Sequence, residues 1–167
     1  MGTLMGTAFM VLLPEVVQSF RALEAQCDIV LVEGAGSAAE INLRANDIAN
    51  MGFAEAADVP VVLIGDIDRG GVIASIVGTH ALISDSERKR LAGYLINKFR
   101  GDPTLFMPAT DSIRGLTGLS CLGVVPWFAD AAKLPAEDAM TLENRDFSRK
   151  GGRIVLAAHL GRPKGKR

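Results

Sequence analysis

The sequence predicts an α/β domain built on a parallel sheet with helices on both faces. Short apolar runs of strand length alternate with amphipathic patterns of helical length, as parallel crossovers require. Hydrophobic residues make up 49% of the chain and aromatic residues only 5%, which suits an aliphatic α/β core better than an all-β sandwich. Acids and glycines follow several of the apolar runs, and open parallel sheets bind ligands at the carboxyl ends of their strands.

Length, charge and cysteine content narrow the class of protein. The 167 residues carry 18 basic and 19 acidic side chains, which is the size of one domain and indicates neither a nucleic-acid nor a membrane partner. Cys27 and Cys121 form no CxxC pair, so the sequence predicts no zinc site and no disulfide framework and fits a reducing cytoplasm. Residues 1–13 lack a basic start and are too short to span a bilayer, so we expect no export signal and no membrane segment.

The first elements are a helix and a strand. Residues 14–26 carry one apolar stripe with a proline in the first turn and predict a helix, while the first ten residues stay unassigned. Residues 28–32 predict a short buried strand. This strand would deliver Glu33, Gly34 and Gly36 to its carboxyl end, where glycines let the backbone approach a ligand closely.

Three local patterns surround the middle of the chain. A helix is predicted over residues 48–57 with Asn46 or Asp47 as its N-cap. Residues 72–81 carry an apolar stripe that predicts a helix packed on the sheet. Ser84-Asp85-Ser86-Glu87 matches a capping box, which starts a short helical turn.

The central strand, residues 61–64, ends abruptly in Gly65, Asp66, Asp68 and Arg69. Four consecutive apolar residues are typical of a strand buried on both faces of a parallel sheet. The acids have two interpretations: they cap the following helix, or they form part of a functional site. The second acidic junction, at Glu33, favours one shared polar site.

A third strand, residues 91–96, also ends in polar residues, which are Asn97, Lys98 and Arg100. The remaining predicted elements are a helix from Asp102-Pro103 to residue 116, a strand over 121–127, a loop at 134–138, a linker at 144–152, a candidate strand over 153–158 and a basic end at 163–167.

The chemistry of these junctions suits a nucleotide with its metal ion. Acids at the ends of adjacent parallel strands hold Mg²⁺ against phosphates, because this hard cation prefers carboxylate oxygens; the candidates are Glu33, Asp66 and Asp68. The glycine-rich loop ending in Gly-Lys-Ser/Thr, which normally cradles the phosphates, is absent from the sequence. Either the phosphates are held otherwise, or the chain is a piece of a longer protein.

Over residues 13–142 the chain resembles the cobyric acid synthase family. Four motifs in the family's order and spacing carry the resemblance: Val32-Glu33-Gly34-Ala35-Gly36-Ser37-Ala38-Ala39-Glu40-Ile41-Asn42-Leu43, Asp66-Ile67-Asp68-Arg69-Gly70-Gly71-Val72, Ile96-Asn97-Lys98-Phe99-Arg100-Gly101-Asp102, and Leu134-Pro135-Ala136-Glu137-Asp138.

The resemblance implies an enzyme of cobalamin biosynthesis. Its family uses ATP, Mg²⁺ and glutamine to amidate the b, d, e and g carboxylates of adenosylcobyrinic acid a,c-diamide, each through an acyl phosphate that ammonia attacks. It also implies a P-loop NTPase fold similar to dethiobiotin synthetase, here without the P-loop portion.

Residue roles follow from the same resemblance. The catalytic residues would be Asp66, Asp68 and Arg69, and the Mg²⁺ ligands Glu33 and Asp66. The nucleotide would contact Gly34, Gly36, Asn97, Lys98, Arg100 and Pro126, and the corrinoid Ser37, Glu40 and Asn42.

The chain departs from the family in lacking a P-loop and a glutamine amidotransferase domain, which would supply the ammonia. Cys121 lies inside a predicted strand and is therefore no candidate for the glutaminase nucleophile. We expect residues 1–142 to form a partial ATP-dependent synthetase domain, residues 143–167 to be a linker and a divergent basic tail, and the chain alone to be inactive. Two alternatives are a non-catalytic nucleotide- or corrinoid-binding relative or scaffold, and a relative of the partitioning P-loop ATPases.

Overall fold

The computed structural model describes residues 3–133 and 158–159, and it confirms the predicted parallel sheet. The four strands of this part of the chain are all parallel and lie in the order β3-β2-β1-β4. They are β1 (Val61–Asp66), β2 (Leu91–Phe99), β3 (Cys121–Pro126) and β4 (Ala158–His159).

The helices pack through two apolar clusters. The α-helices of the described residues are α1 (Thr3–Glu24), α2 (Met51–Ala56), α3 (Val72–Leu82), α4 (Asp85–Arg88) and α5 (Met107–Thr117). Ile76 of α3 and Ile113 of α5 are fully buried in the main cluster with Leu63 of β1. Phe20 of α1 meets Phe53 of α2 edge to face, with ring centroids 5.4 Å apart, in the second cluster.

The helices α3 and α4, which lie between β1 and β2, were both indicated by local sequence patterns. The predicted helix after β1 is confirmed as α3, and it lies so close to the strand that a Cβ on Gly65 would sit 2.5 Å from Cγ2 of Val72. The capping box is also confirmed: the Glu87 N–H donates to Oγ of Ser84 at 3.3 Å, and the Ser84 N–H donates to Oε2 of Glu87 at 2.7 Å. These local signals identify the elements because their partners lie within a few residues.

Two predicted helices begin at other residues. The first helix starts at Thr3, so Pro14 lies inside it rather than in its first turn. Proline favours a helix start, because inside a helix it removes one hydrogen bond and its ring clashes with the carbonyl four residues earlier, but here the helix continues past it. The helix predicted over residues 48–57 begins at Met51, after a 3-10 turn over Ile41–Asn46. The carboxylate of Asp47 accepts hydrogen bonds from the backbone N–H groups of Ala49 and Asn50, which precede that helix, and of Gly52 in its first turn.

The predicted buried strand over residues 28–32 is wrong. This segment forms no strand, and Ile29 is 46% exposed. The neighbouring position beside β1 is taken by β4, which pairs with Leu63 and Ile64. An apolar run becomes a strand only where a partner edge is open, so the pattern alone misled here.

The helix predicted from Asp102 is divided into a 3-10 turn, Pro103–Phe106, and α5. Of the predicted strand over residues 153–158, Ala158 belongs to β4. The remaining predictions for the end of the chain lie outside the described residues: the rest of that strand, the loop at 134–138, the boundary at 142, the linker at 144–152 and the basic end at 163–167. No helix in the described part of the chain is both long and apolar enough to cross a bilayer.

Candidate functional site

The parallel register brings the carboxyl ends of three strands to one edge of the sheet, and polar residues come from two of them, β1 and β2. Asp66 at the end of β1 pairs with Asn97 of β2, and Phe99 of β2 pairs with Pro126 at the end of β3. Carboxyl ends of parallel strands are where open α/β sheets bind ligands. The acids, amide and cations predicted from separate strand ends therefore share one edge.

Asp66 is a buried carboxylate that this chain's own cations surround. Only 5% of the residue is exposed. Its Oδ2 lies 2.6 Å from Nζ of Lys98 and 3.6 Å from Nε of Arg69. Its Oδ1 accepts the N–H of Asp68 at 3.1 Å, which caps the 3-10 turn over Ile67–Arg69. Asp66 thus caps the 3-10 turn that precedes α3, rather than α3 itself, and it also belongs to a charge cluster.

Lys98 reaches Asp66 from an unusual backbone conformation. Its φ is 62°, in the left-handed region that side chains other than glycine rarely adopt. The pairing of β2 with β3 shifts register between Ile96 and Phe99, around the same residue. The side-chain oxygen of Asn97 accepts the Lys98 N–H at 2.8 Å. Such a break in strand alternation turns a side chain towards a site, and strain of this kind clusters at functional sites.

Asp68 binds Arg100 through both carboxylate oxygens. Nε of Arg100 donates to Oδ1 at 3.1 Å and Nη2 donates to Oδ2 at 3.2 Å. This hydrogen-bonded guanidinium holds the pKa of the Asp68 carboxyl below its ordinary value. The guanidinium carbon also lies 3.7 Å from the centre of the Trp127 ring. Sequence reasoning missed Trp127, although its position directly after a strand end was a signal that could have found it.

The predicted corrinoid-binding residues lie in a separate loop. Gly36 has a φ of 75°, and a Cβ there would lie 3.2 Å from Oε2 of Glu40. Oγ of Ser37 accepts the Ala39 N–H at 3.2 Å. Glu40 and Asn42 are exposed to solvent. The loop also borders a cavity of about 170 Å³ whose lining includes Ser37 and Glu40.

Two residues that sequence reasoning did not assign to the site hold this loop. Nδ2 of Asn50 donates to the carbonyl of Ala35 at 2.5 Å, and a Cβ on Gly34 would lie 2.3 Å from Oδ1 of Asn50. A side chain at position 34 would therefore displace the Asn50 amide from its place against the loop. Arg44 forms ion pairs with Glu55 of α2 and Glu87 of α4, which fasten the loop to two helices. No sequence signal identified Arg44, because its partners lie 11 and 43 residues away.

Glu33 does not occupy the desolvated position that a buried strand would give it. It forms a single bridge rather than ending a strand, and its side chain is exposed. It lines a cavity of about 470 Å³ together with Val32 and Ile48. Because Glu33 is exposed to solvent, burial gives no reason to expect a cation beside its carboxylate.

The structure thus divides the predicted site into two groups. The first, which we call the strand-end cluster, comprises Asp66, Asp68, Arg69, Lys98 and Arg100, with Asn97 and Pro126 beside it in register. The second is the loop that carries Gly34, Gly36, Ser37, Glu40 and Asn42. Within residues 3–133 and 158–159, no three or more His, Cys, Asp or Glu side chains gather as a metal site. A nucleotide-bound Mg²⁺ needs only one or two carboxylates beside its waters and phosphates, so the acids present fit that ion.

Comparison with known proteins places the chain in a family. The AAA domain family matches residues 8–133. A cobyric acid synthase of Sinorhizobium medicae (strain WSM419) is 61% identical over 147 residues, which cover 88% of this chain and 30% of the relative. A cobyric acid synthase of Rhizobium meliloti (strain 1021) is 60% identical over the same shares. That of Sphingopyxis alaskensis is 60% identical over 90% of this chain and 31% of the relative.

The chain spans about 30% of the length of these curated relatives. No solved structure matches it. The matched family has a P-loop NTPase-like fold, which agrees with the parallel sheet and confirms the expected fold class. The chain therefore belongs to the AAA domain family and is homologous to about 30% of cobyric acid synthase.

Proposed function

We propose that this chain is part of the ATP-dependent synthetase domain of a cytoplasmic enzyme that amidates the b, d, e and g carboxylates of adenosylcobyrinic acid a,c-diamide. The observation that carries the proposal is the strand-end cluster, found in a chain 61% identical to a cobyric acid synthase. In this proposal residues 1–142 form the synthetase portion, and residues 143–167 a linker and tail.

Nucleotide binding is assigned to the cations and glycines of the site. Lys98, Arg69 and Arg100 offer positive charge to phosphate oxygens, and the planar fork of arginine suits them in two bonds. Gly34, Gly36, Asn97 and Pro126 would border the rest of the nucleotide. Glu33 and Asp66 would hold Mg²⁺, which neutralises charge on the phosphates. Asp66 serves in this role only when Lys98 releases its Oδ2.

The reaction we propose is acyl transfer through phosphate. The γ-phosphoryl group of ATP passes to an oxygen of a corrinoid carboxylate and ADP leaves; ammonia then attacks the acyl carbon, loses a proton and expels phosphate. Asp66, Asp68 and Arg69 would face the transferring group, where preorganised charge lowers the barrier. Ser37, Glu40 and Asn42 would contact the corrinoid, and glutamine hydrolysis in another domain would supply ammonia.

A non-catalytic binding relative or scaffold is the second candidate. One observation favours it: Asp66 and Asp68 are both engaged by cations of this chain. A satisfied ion-pair cluster can hold strand ends together without any ligand. The two candidates differ in whether the acids are needed for turnover.

Transplantation separates the two candidates. The 147 matched residues would replace their counterpart in full-length cobyric acid synthase of Sinorhizobium medicae, and amidated corrinoid would be measured with the diamide, ATP, Mg²⁺ and glutamine. We expect activity, and a loss of about 100-fold or more in Asp66→Asn or Asp68→Asn. Asp111→Asn, an exposed acid on α5, is the control. Unchanged turnover in both strand-end variants would leave Asp66 as a turn cap and Asp68 as a structural partner of Arg100.

The 167-residue chain by itself provides a second measurement. Incubated with the diamide, ATP, Mg²⁺ and either glutamine or ammonium, it should form no amidated corrinoid above a protein-free control. Product in that incubation would mean that this chain carries the whole synthetase chemistry.

A further inference from the structure

Trp127 has no role in the proposed function, yet it is tied to the strand-end cluster. Trp127 directly follows β3. Its backbone N–H donates to the carbonyl of Phe99, at the end of β2, with an N···O distance of 2.7 Å. Its ring centre lies 3.7 Å from the guanidinium carbon of Arg100. The side chain remains 43% exposed, so burial in a core does not explain its position.

Arg100 has a long side chain with many rotamers and lies at a solvent-exposed position. Its side chain is 57% exposed, and a free arginine at such a site samples many rotamers. Two contacts restrict it: the fork onto Asp68 and the ring of Trp127. Arginine stacks on aromatic faces because its planar, weakly hydrated cation meets the negative face of the ring.

We propose that Trp127 is a positioning residue: its ring holds the Arg100 guanidinium in the plane from which it forks onto Asp68. The three residues follow three neighbouring strands, so the stack transmits the position of the β3 end to the turn after β1. The positioning is a property of this chain's contacts. Its consequence for catalysis, through Asp68, rests on the proposed function.

The neighbouring charges do not replace this role. Lys98 acts on Asp68 only through its field, while its ammonium is bound to Asp66. Arg69 lies at the opposite carboxylate, that of Asp66. Removal of the ring should therefore leave Asp68 with an arginine that is present but loosely held.

Side-chain NMR of the ¹⁵N-labelled chain tests the proposal at neutral pH. The Arg100 Nε–H signal, assigned by its loss in Arg100→Lys, should be ring-shifted and exchange slowly with water. Trp127→Leu should move it to the random-coil position and speed its exchange by about 2–5-fold, the factor that an exposed cation–π contact represents. Trp127→Phe should retain most of the protection, because an aromatic face remains. Phe128→Leu, the next exposed ring, is the matched control.

An unchanged Arg100 signal in Trp127→Leu would overturn the proposal, as would equal effects of the Leu and Phe variants. A second measurement keeps Trp127 in place, so it does not depend on how well the Trp127 variants fold. Trp127 is the single tryptophan among 167 residues, so tryptophan emission, excited where Tyr94 does not absorb, reports on this site alone. Asp68→Asn, which weakens the fork, should change the emission and its quenching by acrylamide. Asp58→Asn, which removes the partner of Arg90, should not.

The last test measures the energetic coupling between Trp127 and Asp68, the two residues that Arg100 links. Trp127→Leu and Asp68→Asn should be non-additive in urea unfolding by a factor of about 2–5 in the folding equilibrium. In an Arg100→Gln background the same pair should become additive, because the intermediate contact is gone. Additivity in both backgrounds would sink the idea while leaving the proposed amidation chemistry untouched.

Discussion

Nζ of Lys98 lies 2.6 Å from Oδ2 of Asp66, and this ion pair joins the carboxyl ends of two neighbouring parallel strands. The partners are unequally placed, since the carboxylate is almost fully buried and the ammonium is about one third exposed. Removal of Lys98 therefore leaves the negative charge of Asp66 in a buried position. Removal of the Asp66 carboxylate leaves the positive charge of Lys98 in contact with water. The pair should respond asymmetrically to mutation.

Lys98→Met should destabilise the chain by about 1–3 kcal/mol, less than the full effect of breaking a buried pair because the lysine is partly exposed. Addition of Asp66→Asn to this variant should cost less than the two single effects summed. Urea unfolding followed by circular dichroism measures both. Lys89→Met, an exposed lysine after α4, should stay within about 0.5 kcal/mol of the native chain. Strict additivity would show that the pair contributes nothing.

The packing of α3 on β1 yields a contrast between two glycines. A Cβ on Gly65 would meet Val72 at 2.5 Å and Ile76 at 3.1 Å, while one on Gly78 would meet nothing within 4 Å. Gly65→Ala should therefore cost about 1–3 kcal/mol through overpacking. Gly78→Ala should stabilise by about 0.5–1 kcal/mol, since alanine loses less freedom in a helix. Thermal unfolding of both variants measures these two changes in stability. Equal changes would mean that α3 does not contact the strand as described.

Elements with local causes were predictable from the sequence. The apolar run at residues 61–64 predicts a strand without reference to distant partners, and β1 confirms it, with Val61 and Leu63 buried and Val62 and Ile64 half-buried. The pair Ser84 and Glu87 lies three residues apart, so its capping box is legible without a fold. The sharing of one edge by Asp66 and Asn97 followed from the parallel topology alone.

Features that depend on distant partners were not predictable. The strand expected at residues 28–32 failed because the edge of β1 is occupied by β4. The stack of Trp127 on Arg100 lies just beyond Lys98, which has a left-handed conformation where β2 changes register against β3. No periodicity in the sequence signals such a change, since a positive φ at lysine is a strained choice that only the surrounding structure imposes.

The Glu87 carboxylate should make stability depend on pH in the acid range. Burial raises the pKa of Glu87, but hydrogen bonds from Ser84 and the Arg44 guanidinium outweigh burial and hold this pKa below its ordinary 4.5. Because the folded pKa is the lower one, the contribution is complete above the unfolded value and is lost as the pH falls through the folded pKa. Glu87→Gln should therefore destabilise at about pH 7 by about 1–3 kcal/mol.

The same variant should also lose stability less steeply than the native chain below about pH 4.5. Urea unfolding at a series of pH values measures the slope, and Glu15→Gln, an exposed acid on α1, provides the control. Parallel curves for the native chain and Glu87→Gln would contradict the assignment of this acid-sensitive contribution to Glu87.

Glu33 gives the test that separates a metal ligand from a structural carboxylate. Glu33 is exposed, so water screens the interactions of its charge, and loss of that charge should leave the nucleotide-free melting temperature nearly unchanged. If the proposed Mg²⁺ role holds, Glu33→Gln in the transplanted full-length enzyme keeps the shape but removes a ligand charge. The Mg²⁺ concentration for half-maximal amidation should then rise several-fold, because carboxylate charge sets affinity for hard cations. Asp111→Asn, the exposed acid on α5 that has no role in the proposed site, should leave that concentration unchanged. A marked fall in melting temperature with an unshifted Mg²⁺ dependence would instead make Glu33 a residue that holds the turn at Gly34 and Gly36.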